Sequence, residues 1–174
     1  MIKIGIIGDT SHDILECLYR IFAKFHNPYA KIVIADVNSV LYPQKYDIIV
    51  MNDFAVAFSN RLSKVDIKTK ITILNADSGL ASFVLKSIKN PKIHWGKIIT
   101  YGLNAKSCIT ASSIKEDSIL ICIQRAISTI NGDLLREQEF LADFKELADF
   151  GESAGMGALS CAMICGMNPK NFAD

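Results

Sequence analysis

The chain carries almost no net charge: 19 lysines and arginines stand against 18 acidic residues, a formal balance of +1 over 174 residues. With no surplus of one sign, and with its basic residues scattered along the sequence, it lacks the electrostatic grip on which nucleic-acid binding draws, and no nucleic-acid partner is expected. Long apolar runs are also missing. None approaches the roughly 20 residues that cross a bilayer, and the opening run "MIKIGIIGDT" reaches Asp9 too soon for a secretory signal. The sequence therefore predicts no membrane contact and a cytoplasmic protein. Cys17, Cys108, Cys122, Cys161 and Cys165 are odd in number and include no C-x-x-C pair, which argues against a disulfide framework or a thiolate metal knuckle. Cys161 and Cys165, four apart on an expected helix, read as small buried hydrophobes. With no low-complexity tract, repeat or long linker, residues 1–174 are expected to form a single domain.

What the chain does have is hydrophobicity, half of all residues, arranged in two alternating periods. "IKIGIIG" is a near-continuous apolar run of the kind a strand buried on both faces requires. Ile14, Leu15, Leu18, Ile21, Phe22 and Phe25 then recur at helical spacing, with Thr10 or Ser11 as cap and Asn27-Pro28 as the stop. "KIVIAD" and "YDIIVM" read as strands and "DFAVAFSNRLSKV" as a helix. Strand "KITILNA", helix "GLASFVLKSI" and strand "KIITYG" follow. Strands alternating with helices imply parallel pairing through helical crossovers. The expected fold is α/β and three-layered, a mostly parallel sheet of about five or more strands flanked by helices.

Residues 1–104 supply this parallel part, and residues 105–174 are expected to add a smaller β element and a closing helix. "SCITASSI", "SILICIQRAIST" and "EQEFLADF" read as strands, Asn131-Gly132 as a hairpin turn, and "SAGMGALSCAMICGM" as a small-residue helix ending near Gly166. Ligands on such sheets sit beyond the carboxyl ends of the strands, which brings residues 8–13, 51–53 and 75–78 to one rim. The carboxylates Glu137, Glu139, Asp143, Glu146, Asp149 and Glu152, mixed with Arg136 and Lys145, read as a solvated face.

"LNADSGLA" followed by "IITYGLNAKSCITASSI" resembles the central, ATP-binding domain of the Mur ligases, where L-N-A-D-D, I-T-Y-G and A-D-x-x-A recur. "IGIIGDTSHDI" aligns without a gap on that family's I-G-I-T-G-T-N-G-K-T-T, and "YDIIVMNDF" on the strand ending V-M-E-V-S. "GESAGMGALSCAMICGMNPKNF" is similar to the closing G-x-H-N-V-x-N-A-L-A-A-I-A-x-x-x-G-I-x-x-E-x-I. The resemblance implies a P-loop-like frame with a phosphate loop at Gly8, Asp9, Thr10, Ser11, His12 and Asp13. It also implies an adenine and ribose side at Asn75 and Asp77, and a metal position at Asn52, with Asp53 one residue on.

Against that pattern the chemistry is thinned. Ser11 stands at the second glycine, His12 at the phosphate-binding lysine and Asp13 at the metal-binding threonine. Asn52 replaces the magnesium-binding glutamate, Ser78 the second aspartate, and Ser153, Ala154 and Gly157 the closing helix's H, N and N. A phosphate loop needs a cation on the outer phosphates and a hydroxyl on magnesium, whereas a carboxylate at the helix start competes for the same amides. The leading expectation is thus a catalytically inactive relative acting as a binding or regulatory protein linked to cell-wall precursor metabolism, which binds a protein partner or a small ligand or associates with itself, with no firm cofactor and with ATP and Mg²⁺ disfavoured. The ligases' first and last domains have no counterpart here, so ligation would need partner chains. Two other readings stand beside it. One is an ATP-dependent ligase or ATPase subunit using His12 on phosphates and Asp13 or Asp53 on metal. The other is a Rossmann-type dinucleotide site built on Gly5, Gly8 and Asp36.

Overall fold

Short β-branched runs satisfy their backbones only by pairing, and here the pairing yields a nine-stranded sheet among the described residues. The structure, a computed structural model, describes residues 2–25, 30–34, 44–53 and 66–172. In chain order the elements are β1 (Ile2–Ile7), α1 (Ser11–Lys24), β2 (Ala30–Ile34), β3 (Gln44–Met51), β4 (Ile67–Asn75), α2 (Leu80–Ser87), β5 (Ile93–His94) and β6 (Lys97–Tyr101). There follow β7 (Ile109–Ile114), β8 (Ser118–Ile123), β9 (Ile127–Ser128), β10 (Leu134–Leu135), β11 (Gln138–Asp143) and α3 (Glu152–Ile164). The strand order is β11-β8-β7-β6-β4-β3-β1-β2, with β5 beside the start of β4. From β2 to β7 the neighbours are parallel; β7, β8 and β11 are antiparallel. The chain reverses its direction of growth between β1 and β3, and this switch point is where an α/β sheet offers its crevice.

Each central strand feeds two cores, which explains why the apolar runs are unbroken. Ile4, Ile6, Ile48, Val50, Ile71 and Ile73 pack toward α1 and α3, while Ile7, Ile49, Met51 and Leu74 pack toward Leu80 and Val84 of α2. Trp95, expected as a packing anchor, is buried in the second core and donates its indole N–H to Ser87 Oγ at 2.7 Å. The closing helix α3 is buried on all sides from Ala154 to Ile164. Its glycines and alanines let it lie close to α1 and the sheet, and Met156, Met163 and Met167 fill core rather than surface. It ends in a Schellman motif: Gly166, at φ +100°, donates to Met163 O at 2.9 Å and Met167 to Ala162 O at 3.1 Å.

Strands β7, β8 and β11 of the second half extend the main sheet, and the smaller β element expected there is the pair β9 and β10, joined through the expected Asn131-Gly132 turn and set apart from the main sheet. Two details differ from the sequence reading. "SILICIQRAIST" breaks into β8 and β9 because Gln124 N–H turns to Cys108 O and Ala126 N–H to the Glu137 carboxylate. Thr10 occupies the N-cap of α1 without a capping hydrogen bond, since its hydroxyl is engaged elsewhere. The helix expected over residues 53–65 (beyond Asp53), the stop at Asn27-Pro28 and the ribose acid Asp36 lie outside the described residues. All five cysteines are free.

The last turn of α1 is tied to the edge strand. Lys24 Nζ donates to Asp143 Oδ2 at 2.9 Å, and Arg20 donates to Glu146 O at 3.0 Å while lying 4.7 Å over the Phe150 ring. The Lys24 hydrogen bond holds the Asp143 carboxyl below its ordinary value, against a smaller opposing effect of desolvation. A carboxyl depressed in the folded state adds stability above its unfolded pKa of about 3.9, lost as pH falls through the lower folded value. Asp143→Asn should therefore cost stability at pH 7 and flatten the acid limb of a urea-unfolding series below pH 4, the pair being partly exposed and worth no more than about 1 kcal/mol. Leu159→Ala in α3 should cost about 2–5 kcal/mol in the same assay, while Leu85→Ala, at an exposed position, should stay within about 0.5 kcal/mol.

Candidate functional site

The crevice at the switch point is lined by the ends of β1, β3, β4 and β6 and by the first turns of α1 and α3. β1 runs into Gly8, whose φ of +147° suits glycine, and a Cβ there would stand 2.8 Å from Asp53 O and 3.2 Å from Asn52 O. This approach lets Asp9 N–H donate to Asp53 O at 2.6 Å and Asn52 N–H to Ile7 O at 3.0 Å. Ser11 N–H donates back to Gly8 O at 3.2 Å. The amides of Asp9 and Ser11, two of the groups a phosphate loop turns toward its anion, are thus already met by carbonyls.

The remaining residues of the loop divide by exposure. Asp9 and His12 are exposed, and Thr10, Ser11 and Asp13 are half-buried. β3 ends at Met51, so Asp53 lies beyond the strand with an exposed side chain, whereas Asn52 is only 2% exposed. Asn75, at the end of β4, is 4% exposed. Its Nδ2 donates to Asn52 Oδ1 at 2.7 Å and to Ser153 Oγ at 2.8 Å, and the Ser153 hydroxyl donates to Asn52 Oδ1 at 2.9 Å. Three residues, one just past the end of β3, one at the end of β4 and one in α3, form a closed triangle. Asn52 Nδ2 extends it to the Thr10 hydroxyl, and Asn75 Oδ1 accepts Asp77 N–H at 2.9 Å.

Asp77 serves the next loop. Its carboxylate accepts Leu103 N–H at 2.5 Å and Asn104 N–H at 2.9 Å. Ser78 Oγ donates to Asn75 O at 2.8 Å and accepts Leu80 N–H at 3.3 Å, at the start of α2. The structure thus brings together Thr10, Asn52, Asn75 and Ser153, and leaves His12 and Asp53 outside their network. No group of three or more histidine, cysteine, aspartate or glutamate side chains poised for a metal occurs among the described residues. Asp9, Asp53 and Asp77 line the exposed rim, and none has a cationic partner among the described residues.

Beneath the triangle lies a group that sequence reasoning treated only as a strand end. The Tyr101 hydroxyl is fully buried and meets no partner in hydrogen-bond geometry, although Ser153 lies near it. Burial drives its pKa up, and the nearby Asp53 and Asp77 carboxylates push the same way. Gly157 makes room for it: a Cβ there would stand 2.9 Å from Tyr101 Oη.

With this geometry in hand, the chain can be set beside known proteins. It superposes over 100% of its length on a solved UDP-N-acetylmuramoyl-L-alanyl-D-glutamate--2,6-diaminopimelate ligase, with a TM-score of 0.73 and 15% sequence identity. The fold is Mur-ligase-like. The chain spans 45% of that ligase's length. No protein-family model matches the chain, and no curated protein does. At this level of identity the shared property is the fold.

The unpartnered phenol gives a test of the packing under the site. Tyr101→Phe removes a buried hydroxyl whose desolvation is unrepaid and should raise unfolding stability by about 1 kcal/mol. Gly157→Ala should lower it by about 1–3 kcal/mol through overpacking. In the double variant the loss should shrink, because the atom that the new methyl group meets is gone. Chemical denaturation of the four proteins reads this coupling directly.

Proposed function

We propose that this protein is a catalytically inactive relative of the Mur ligase ATP-binding domain that works by binding a protein partner or another copy of itself, in the orbit of cell-wall precursor metabolism. The observation that carries the reading is the Asn52–Asn75–Ser153 triangle. Side chains at the positions that the resemblance gives to metal and nucleotide ligands have spent their donors and acceptors on one another. A ligand entering there must break buried hydrogen bonds, each left unmet at about 1–3 kcal/mol.

Electrostatics support the same reading. A triphosphate carries several negative charges and needs a lysine, arginine or metal to hold it. Among the described residues the rim offers Asp9, Asp13, Asp53 and Asp77, and the loop of residues 8–13 holds no lysine or arginine. The helix-start amides that would remain attractive to an anion face a carboxylate at Asp13, in the first turn of α1. Magnesium fares little better, because it favours charged oxygen ligands and Asn52, buried in the triangle, offers a neutral oxygen already accepting twice. The donor set does not fit Mg-ATP, and no catalytic step is assigned.

Calorimetric titration with ATP, with and without Mg²⁺, is the test. Silence up to about 1 mM, a binding free energy weaker than about −4 kcal/mol, is the expected result, together with no phosphate release over days. Magnesium-dependent binding that is lost in His12→Ala would overturn this reading in favour of an ATP-using subunit with altered loop residues.

A further inference from the structure

The turn between β9 and β10 has no part in the crevice, yet it holds a reactive pair. Asn131-Gly132 forms it, and no other asparagine in the chain precedes a glycine. Both residues are exposed, and a Cβ on Gly132 would find nothing within 4 Å, so the peptide bond between them is open to water and base. Asn52 and Asn75 are buried in the triangle, and Asn90, Asn104 and Asn168 each turn Oδ1 to a backbone N–H two residues on. The Asn131 carboxamide makes no hydrogen bond among the described residues. The Gly132 N–H donates to Thr129 O at 3.2 Å, the long end of the range. The hairpin does not hang on this bond. Thr129 N–H donates to Asp133 O at 2.8 Å, Asp133 N–H to Thr129 Oγ1 at 3.1 Å and Ile130 N–H to Ile164 O at 2.8 Å. The last of these ties the turn to the end of α3. Asn131 Nδ2 lies there too, 3.0 Å from where a Cβ on Gly166 would be.

We propose that Asn131 is a site of self-modification: its carboxamide converts to a carboxylate through a cyclic imide, and the new charge falls at the carboxyl end of α3. The Gly132 nitrogen, once base has taken its proton, attacks Asn131 Cγ. The N–Cγ bond forms, the Cγ–Nδ2 bond breaks, and the amide nitrogen leaves as ammonia with a proton drawn from water. Water then opens the ring. Attack at Cγ leaves an aspartate, and attack at the main-chain carbonyl carbon leaves an isoaspartate whose backbone runs through Cβ. Either route consumes a water and releases an ammonia, with no oxidant and no change of redox state. Glycine makes the step accessible, because a side chain at 132 would crowd the attacking nitrogen. Both products place a negative charge where the last carbonyls of α3 already present the negative end of the helix dipole, so the charge opposes the helix. The isoaspartate also lengthens the turn that sets the β9–β10 register. The site lies at the opposite end of α3 from Ser153 and acts whether or not the crevice takes a ligand.

The test is to age the folded protein at mildly alkaline and mildly acid pH, beside the urea-denatured chain, and to map the change by peptide mass spectrometry. Isoaspartate is read separately by enzymatic methyl transfer. The acid form should appear at Asn131 with stoichiometric ammonia and should form faster in alkali. It should contain isoaspartate as well as aspartate. The folded rate should lie within about tenfold of the denatured one, because a single long hydrogen bond has to open. Asn131→Gln, whose longer side chain would need a larger ring, should keep its amide. The aged protein and Asn131→Asp should each shift the unfolding equilibrium about two- to fivefold toward the unfolded state. An amide retained at 131 in the folded protein after the denatured chain has converted overturns the proposal, whatever the variants do. Conversion that leaves the unfolding equilibrium unmoved, in the aged protein and in Asn131→Asp alike, overturns the effect on α3.

Discussion

A carboxamide removed from water must recover its hydrogen bonds from the protein, and each group left unmet costs about 1–3 kcal/mol. Asn52 and Asn75 are both removed from water, at the tips of neighbouring parallel strands, and they meet this requirement through each other and Ser153. Much of the carboxyl end of the sheet follows. The first turn of α3 must sit low enough for Ser153 to reach two strand ends, which presses Gly157 onto the Tyr101 hydroxyl. The α1 cap must give its hydroxyl to Asn52 instead of to its own helix. One small polar cluster thus fixes the heights of two helices against the sheet.

Hydrophobic period made the parallel half of the fold legible. A run such as Ile48 to Met51, apolar at every position, has no face to give to water, so it must lie between two layers; the structure sets its alternate residues in the two separate cores. The second half was less legible, since six-residue antiparallel strands look the same whether they extend a sheet or leave it. What joins them here is a single register pair, Tyr101 with Ile109. Beyond it, β7 turns back on β8 through a bulge between Ala111 and Ser113. No local pattern encodes a contact that narrow.

The site was legible as residues and not as contacts. Asn52, Asn75 and Asp77 stood out through their positions in a resembling pattern, and the α/β rule put them on one rim. That the two asparagines and Ser153 bond to each other depends on α3 returning across the sheet from more than seventy residues away, a long-range fact. Tyr101 passed as a strand end because burial of its hydroxyl follows from the absence of a side chain at Gly157, on another element. The signal available was the run of small residues in the closing helix, which announces close approach without saying to what.

The opening loop can now be understood in two parts. Gly8 answers to the backbone of the neighbouring strand: with Asp53 O 2.8 Å from where a Cβ would be, any larger residue would push β1's exit away from β3 and break the Asp9 to Asp53 hydrogen bond. That duty exists whether or not an anion is ever bound. The later positions of a phosphate loop have no such duty, for a lysine or a threonine hydroxyl there would serve only a ligand. Ser11, His12 and Asp13 occupy them, and these start a helix adequately while supplying no fixed cation. A glycine followed by a helix therefore carries two meanings, one of geometry and one of chemistry, and in this chain the geometry alone is enough to account for it.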